Sequence, residues 1–295
     1  MTHPIAVVAS DIHLQPKPPR YRSNEKDWLE VQRNYIWQMA DIAGKLPIII
    51  AGDLFDRHNP PVEFVNWAVG VFRQIGDVYC IPGQHDLPNH RYSDRLKSAY
   101  GTLVLADVIT DLWQPLNISD ELRVYPYPWE EEIQPLPYDT TDRVTLAVIH
   151  AYLWKAGASY PGAPESSNVG KYRDILSGYD AAVFGDNHKP FDDTGSCYIF
   201  NCGGFMIRKS DDNHRPRVGK LMSDGSIETY DLDTSKDVYL PEDHTFKPEQ
   251  TRIDFLDGIS DIERPDFEEY VTRRMRDVET PIRDEMTSII EEAKG

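Results

Sequence analysis

Five short stretches of this 295-residue chain carry side chains that bind metal ions and move protons. They are Asp11-Ile12-His13, Gly52-Asp53-Leu54-Phe55-Asp56-Arg57, Gly83-Gln84-His85-Asp86, Ile149-His150-Ala151 and Gly185-Asp186-Asn187-His188. Carboxylates and imidazoles suit Mn2+, Fe2+ and Zn2+, and no thiolate belongs to the set. Asp11 and His13 lie two apart, so in an extended segment both face the same way. Asp53 supplies a carboxylate able to bridge two ions. Each stretch alone is bland: a D-x-H pair is common, a Gly-Asp is usually a turn, and a lone histidine after a strand is usually packing. Five in order, most of them just after an apolar run, point to one site built around a pair of divalent cations.

Those side chains need a frame that brings distant segments to one edge. Ile5–Ser10, Pro47–Ala51 and Val78–Ile81 are apolar runs expected as strands. Between them, Glu25–Lys45 has helical spacing through Trp28, Val31, Tyr35, Met39 and Ile42, and Pro60-Pro61 opens a second helix toward Ile75. This β-α-β-α-β rhythm implies a layered α/β fold, in which ligands bind beyond the carboxyl ends of strands. Further strands are expected at Arg123–Tyr127, Val144–Ile149, Ala181–Phe184, Cys197–Asn201, Val218–Met222 and Ile227–Asp231. The last three follow each other without helices and read as an antiparallel meander. Residues 152–178 read as a long loop rich in Gly, Ser, Pro and aromatics.

Through these motifs the chain resembles the calcineurin-like metallophosphoesterase superfamily. That pattern is D-x-H, then G-D-x-x-D/R, then G-N-H-D/E, then a lone H, then G-H-x-H. The resemblance spans residues 5 to about 205 and implies a four-layer α/β/β/α sandwich, here with a small C-terminal extension. It implies that Asp11, His13 and His188 hold one ion, that Asp53 bridges, and that Gln84, His150 and Asp186 hold the other. It also implies that His85 contacts the scissile phosphate or protonates the leaving group, with Asp86 orienting His85. Two positions depart from the pattern: Gln84 stands for Asn, and Asp186 for the first His of G-H-x-H. Both keep an oxygen donor, so the second site should favour Mn2+ or Mg2+ over Zn2+. Mn2+ is the expected ion, with Mg2+, Fe2+ and Zn2+ as alternatives.

Within the superfamily the chain is most similar to the nuclease subunit of the SbcC–SbcD type, in its short phage-like recombination form. The features are Pro60-Pro61 after Asp56, Leu87-Pro88 and His90 after Asp86, and Lys189-Pro190-Phe191 then Gly203-Gly204-Phe205 after His188. The resemblance implies a metal-dependent nuclease of DNA repair or recombination. Its expected partners are DNA, a coiled-coil ATPase of the SbcC kind, and a second copy of the chain. Candidate substrate contacts are Lys17, Arg57, His90, Tyr152 and Trp154. Arg57 is open to phosphate or to a surface salt bridge, and the aromatics to base stacking or to loop packing. Lys17, Arg20 and Arg22 near Asp11, and Lys171 and Arg173 in the long loop, offer local positive charge. Rival readings are a small-molecule or nucleotide phosphodiesterase or phosphatase, and a non-catalytic scaffold with a decayed second metal site.

The net charge of −18 disfavours broad electrostatic attachment to nucleic acid. Residues 241–295 contribute 16 Asp+Glu against 8 Lys+Arg. They read as an acidic, mostly helical extension, able to dock on a partner, after a hydrolase domain over 1–240. No apolar run approaches the roughly 20 residues of a membrane helix. The amino terminus has no signal-peptide pattern and reads directly as a strand, so a cytoplasmic protein is expected. The three cysteines form no C-x-x-C pair, and Cys80 reads as a buried small hydrophobe.

Overall fold

The computed structural model describes residues 2–137, 142–160, 162–195 and 197–240. Its strands are β1 (Pro4–Ala9), β2 (Ile48–Ala51), β3 (Val78–Ile81), β4 (Thr110–Asp111), β5 (Leu116–Asn117), β6 (Leu122–Tyr127), β7 (Val144–His150), β8 (Ala181–Gly185), β9 (Phe191–Asp193), β10 (Tyr198–Asn201), β11 (Arg217–Met222) and β12 (Ile227–Asp231). The α-helices are α1 (Trp28–Ala43), α2 (Val62–Phe72), α3 (Ala99–Leu105) and the single turn α4 (Arg173–Leu176). Among the described residues the strands form two six-stranded mixed sheets, ordered β12-β11-β1-β2-β3-β4 and β5-β6-β7-β8-β10-β9.

The apolar runs explain the layers. Strands buried on both faces read as continuous Val/Ile/Ala rather than as alternation. In β2, Ile48 and Ile50 face the helical layer of α1, α2 and α3, while Ile49 and Ala51 face the other sheet. In β7, Leu146 and Val148 point between the sheets, while Ala147 and Ile149 point outward to Leu153, Val169 and Leu176. Three apolar interfaces therefore separate an α/β/β/α stack. In β1 the register slips between Pro4 and Ala6, so Ile5 and Ala6 both face the inter-sheet core. Asp27 caps α1 by accepting from the Glu30 N–H.

Two expectations change. The meander expected at the end of the domain is only the β11–β12 hairpin, because β10 lies in the second sheet, parallel to β8 and antiparallel to β9. Residues Ile199–Asn201 are all buried, the mark of an interior strand rather than the outer arm of a hairpin. The segment expected as a long loop over 152–178 holds two short 3-10 turns, Glu165–Ser167 and Val169–Lys171, then α4, and an isolated bridge joins Trp154 to Asn168. No helix among the described residues is long and apolar enough to cross a membrane. The charged extension expected over 241–295 lies outside the described residues.

Candidate metal centre

The loops leaving β1, β2, β3 and β8, together with the last residue of β7, meet at one edge of the two sheets. The β1 and β2 loops run side by side: the N–H groups of Asp11, His13 and Leu14 donate to the carbonyls of Gly52, Asp53 and Leu54. This pairing extends the parallel strands into the site and fixes both loops. The backbone there is unusual. Asp11, His13, Asp53 and Asp186 have φ of 51°, 49°, 52° and 85°, in the left-handed region that non-glycine residues seldom adopt. Such strain clusters where side chains must be aimed rather than merely packed.

All seven side chains expected as ligands come together. The Nε2 atoms of His13 and His188 face each other at 3.0 Å. Asp11 Oδ1 lies 4.0 Å from the first and 3.8 Å from the second. Asp53 Oδ2 lies 3.6 Å from His13 Nε2 and 3.5 Å from His150 Nε2, between the two halves of the cluster. His150 Nε2 lies 2.7 Å from Gln84 Oε1, and the Gln84 Nε2 donates to Asp186 Oδ1 at 2.6 Å. Asp186 N–H donates to Asp11 Oδ1 at 2.9 Å, which joins the second half back to the first.

The donor set suits cations. Asp11–His13–His188 and Asp11–Asp53–His150 each present ligand atoms within 4.8 Å of one another. The outer oxygens Asp11 Oδ2 and Asp53 Oδ2 are buried and have no hydrogen-bond partner. A buried carboxylate oxygen left without a donor is costly, and a metal ion removes that cost. The ring of His150 is oriented by its Nδ1–H, which donates to the Ala51 carbonyl at 2.7 Å and turns Nε2 inward. A Cβ on Gly52 or Gly185 would press into that ring, so glycine there follows from close packing.

The charges are strongly perturbed. Burial pushes the Asp11 carboxyl up to about 7, with His150 opposing and Asp53 adding to the rise. For Asp53, burial is outweighed by His150, His13 and His85, which hold it below the usual carboxylate range. For His150, burial is outweighed by Asp53, Asp11 and Asp186, which push its pKa up to about 10. Burial and Arg208 hold His188 down to about 4, and burial pulls His13 well below its ordinary value. One cluster thus keeps neutral imidazoles at one end and carboxylates around a cationic imidazole at the other.

His85 sits at the rim with its side chain 43% exposed and Nε2 4.0 Å from Asp53 Oδ2. Its orienting partner is not Asp86. The His85 Nδ1 lies 2.8 Å from the Asp56 carbonyl, to which its N–H donates. Asp86 is fully buried and accepts from the backbone N–H groups of Leu54, Phe55 and Gly83. It ties the β2 loop to the β3 loop, because three convergent donors hold a carboxylate more firmly than one exposed imidazole could. Asp86 is a positioning residue for the backbone under the site.

The expected substrate contacts scatter. Arg57, His90 and Lys17 are exposed and bond to none of the cluster side chains. Arg22 does not add to a basic surface: it is buried between Glu25 and Asp237. Arg173 is paired with Asp193. Trp154 donates its Nε1–H to the Pro164 carbonyl. Tyr152 lines a cleft of about 930 Å³ beside Asp186 and His188. Two further residues belong to the site. Arg208 forms an ion pair with Asp56, whose Oδ1 lies 3.6 Å from His13 Nδ1. Asn187 donates from Nδ2 to the Leu153 and Ala158 carbonyls at 2.7 and 2.8 Å, pinning the 152–160 segment to the β8 loop. The one sequence signal for Arg208 was its place in the basic pair Arg208-Lys209, soon after Gly203-Gly204-Phe205. That turn also braces the site: Gly204 and Phe205 donate to the His188 and Asp11 carbonyls.

Residues 5–190 match the family model of calcineurin-like phosphoesterases. The chain belongs to this family. It is therefore a metallophosphoesterase-family hydrolase; the family uses a dinuclear metal site, and the clustered Asp and His groups match that requirement. Among solved structures the phosphoesterase is similar to TT1561 of Thermus thermophilus, at 10% identity over 77% of this chain and 98% of that one, TM-score 0.46. It is similar to a dimetal phosphatase from Danio rerio, at 12% identity over 74% and 93%, TM-score 0.47. It is also similar to a 5'-nucleotidase precursor from Thermus thermophilus, at 11% identity over 81% and 56%, TM-score 0.43. Comparison with curated proteins gives no match.

Proposed function

We propose that this phosphoesterase is a two-metal phosphodiester hydrolase that cuts DNA, with Mn2+ as its working ion. The observation that carries the two-metal reading is the buried Asp53 Oδ2, which accepts no hydrogen bond and lies between His13 Nε2 at 3.6 Å and His150 Nε2 at 3.5 Å. A carboxylate oxygen so placed can serve two ions at once. Asp11, His13 and His188 would hold one ion, and Gln84, His150 and Asp186 the other. When bound, such ions polarise a phosphate and lower the pKa of a coordinated water.

The chain's own residues supply the remainder. The Nδ1–H of His85 is committed to the Asp56 carbonyl, so Nε2 is left free, 4.0 Å from Asp53 Oδ2. In its protonated form Nε2–H donates to the departing oxygen. Arg208, next to Asp56, adds positive charge on the side of His13 and His188. The DNA reading rests on the similarity to SbcD-type nucleases in the stretches around Pro60-Pro61, Leu87-Pro88 and Lys189-Pro190. On the same similarity, the acidic segment 241–295 would dock a coiled-coil ATPase of the SbcC kind. Loss of ATPase association on deleting residues 248–295 supports that docking, and retained association rejects it. A second reading, a small-molecule phosphodiesterase or phosphatase, is favoured by the net charge of −18, which repels a long polyanion more than a short one.

The deciding experiment is Mn2+-dependent digestion of end-labelled single- and double-stranded DNA, with His85→Ala as control. Shortened DNA that the control leaves intact supports the nuclease. Turnover of mononucleotides or small diesters with DNA untouched selects the second reading. No turnover, with fewer than one ion bound per chain in excess Mn2+, selects a non-catalytic scaffold.

A further inference from the structure

The cleft beside Asp186 and His188 has two chemically different walls. One is aromatic. The rings of Tyr152 and Tyr160 lie 4.9 Å apart at 48°, and the Tyr160 N–H donates to the Tyr152 hydroxyl. Tyr160 is a large aromatic left 46% exposed. The rest of the lining carries both signs of charge: Asp186, Asp211, Asp212 and Asp231 stand beside Lys189, Lys209, Arg215 and Arg217, and Arg215 and Arg217 are already paired with Asp231 and Asp192. Lys189 spends one ammonium donor on the Ser159 carbonyl and keeps two. Lys209 has no side-chain partner among the described residues, and its charge is felt at His188. Asn187 clamps the aromatic wall to the β8 loop through its bonds to Leu153 and Ala158. The wall is thus fixed before any ligand arrives, which lowers the cost of binding.

We infer that this cleft is a nucleotide subsite, in which Tyr160 and Tyr152 take the base and Lys189 and Lys209 take the phosphate. Every base has a π-face that stacks on tyrosine, so the subsite accepts any sequence. A paired base keeps its faces in the duplex stack, so the ligand is an unpaired nucleotide. A volume of about 930 Å³ is at the top of the small-molecule range of roughly 300–1,000 Å³ and admits a nucleotide with part of its neighbour. The inference rests on the phosphodiester reading above and deepens it. The chemistry is shared by a free nucleotide and by the unpaired end of a strand.

The test is calorimetric titration of the full chain in Mn2+ with adenosine 5′-monophosphate, ribose 5-phosphate and a short oligothymidylate. Adenosine 5′-monophosphate should bind about tenfold more tightly than ribose 5-phosphate, since stacking alone separates them. That ratio should fall to about one in Tyr160→Ala and persist in Tyr160→Phe, which keeps the ring. Equal binding of the two probes by the unaltered chain, or a ratio that survives Tyr160→Ala, overturns the subsite. Tighter oligothymidylate supports it with a strand as the ligand, and equal affinity supports it with a free nucleotide. A ratio that holds while DNA remains uncut rejects the nuclease and leaves the subsite standing.

Discussion

The Nε2 atoms of His13 and His188 face each other at 3.0 Å. Burial drives both rings toward their neutral forms, and Arg208 pushes the same way. Two neutral imidazoles that aim ring nitrogens at one point are best satisfied by a cation between them. Replacing His188 with Ala should lower bound Mn2+ from about two ions per chain to about one. Metal analysis of the purified variant checks this, and unchanged content would remove His188 from the ligand set.

His85 is expected to act on the substrate and not on the metal. His85→Ala should keep its ions and lose roughly 10²- to 10⁴-fold in turnover, the usual range for a positioned acid. Loss of an ion along with activity would instead make His85 a ligand.

Asp86→Ala should destabilise the fold by about 3 kcal/mol or more, because it strands the buried N–H groups of Leu54, Phe55 and Gly83. Urea unfolding of the chelated protein gives the value. A loss below about 1 kcal/mol would mean that water replaces the carboxylate.

The metal-free protein should lose stability as pH rises from 7 to 8.5. His150 has its folded pKa raised to about 10 from 6.5, so it binds a proton in the folded chain that the unfolded chain has released. Stability from that proton is full below 6.5 and is lost toward 10, by up to about 1.4 kcal/mol per pH unit. Asp11, raised to about 7, acts with the same sign and is nearly spent by then. His13 and His188 act oppositely, but only below about 6.5, where the unfolded rings begin to charge. Mn2+ competes with the His150 proton, so the rise in Tm on adding Mn2+ should be larger at pH 8.5 than at pH 7. Thermal melts in chelator and in Mn2+ decide, and an equal or smaller rise at pH 8.5 counts against His150 as a ligand.

Asp186→His should move the metal preference toward Zn2+, since it exchanges an oxygen donor for nitrogen. Competition between Mn2+ and Zn2+ measures the shift. An unchanged profile would assign Asp186 solely to holding the Gln84 amide, with which it already bonds at 2.6 Å.

The donor set and its place at strand ends were legible in the sequence for a local reason. Each motif directly follows or ends a run such as Ile48–Ala51 or Val144–His150, and a run buried on both faces is visible as continuous apolar residues. Such runs also give the α/β layering. Side-chain partners were not legible, because each depends on segments far apart in the chain. His13 meets His188 across 175 positions, and Arg208 meets Asp56 across 152. The sequence alone would pair His85 with its neighbour Asp86. The tertiary structure buries Asp86 against three backbone donors and turns His85 to the Asp56 carbonyl, since a fully buried carboxylate must satisfy its oxygens first. The same holds for Arg22, whose charge looks like surface in the sequence and is buried between two carboxylates in the fold. What the chain by itself determined is which atoms are available to hold ions; what folding decided is which of those atoms are left without a partner, and so where the ions fit.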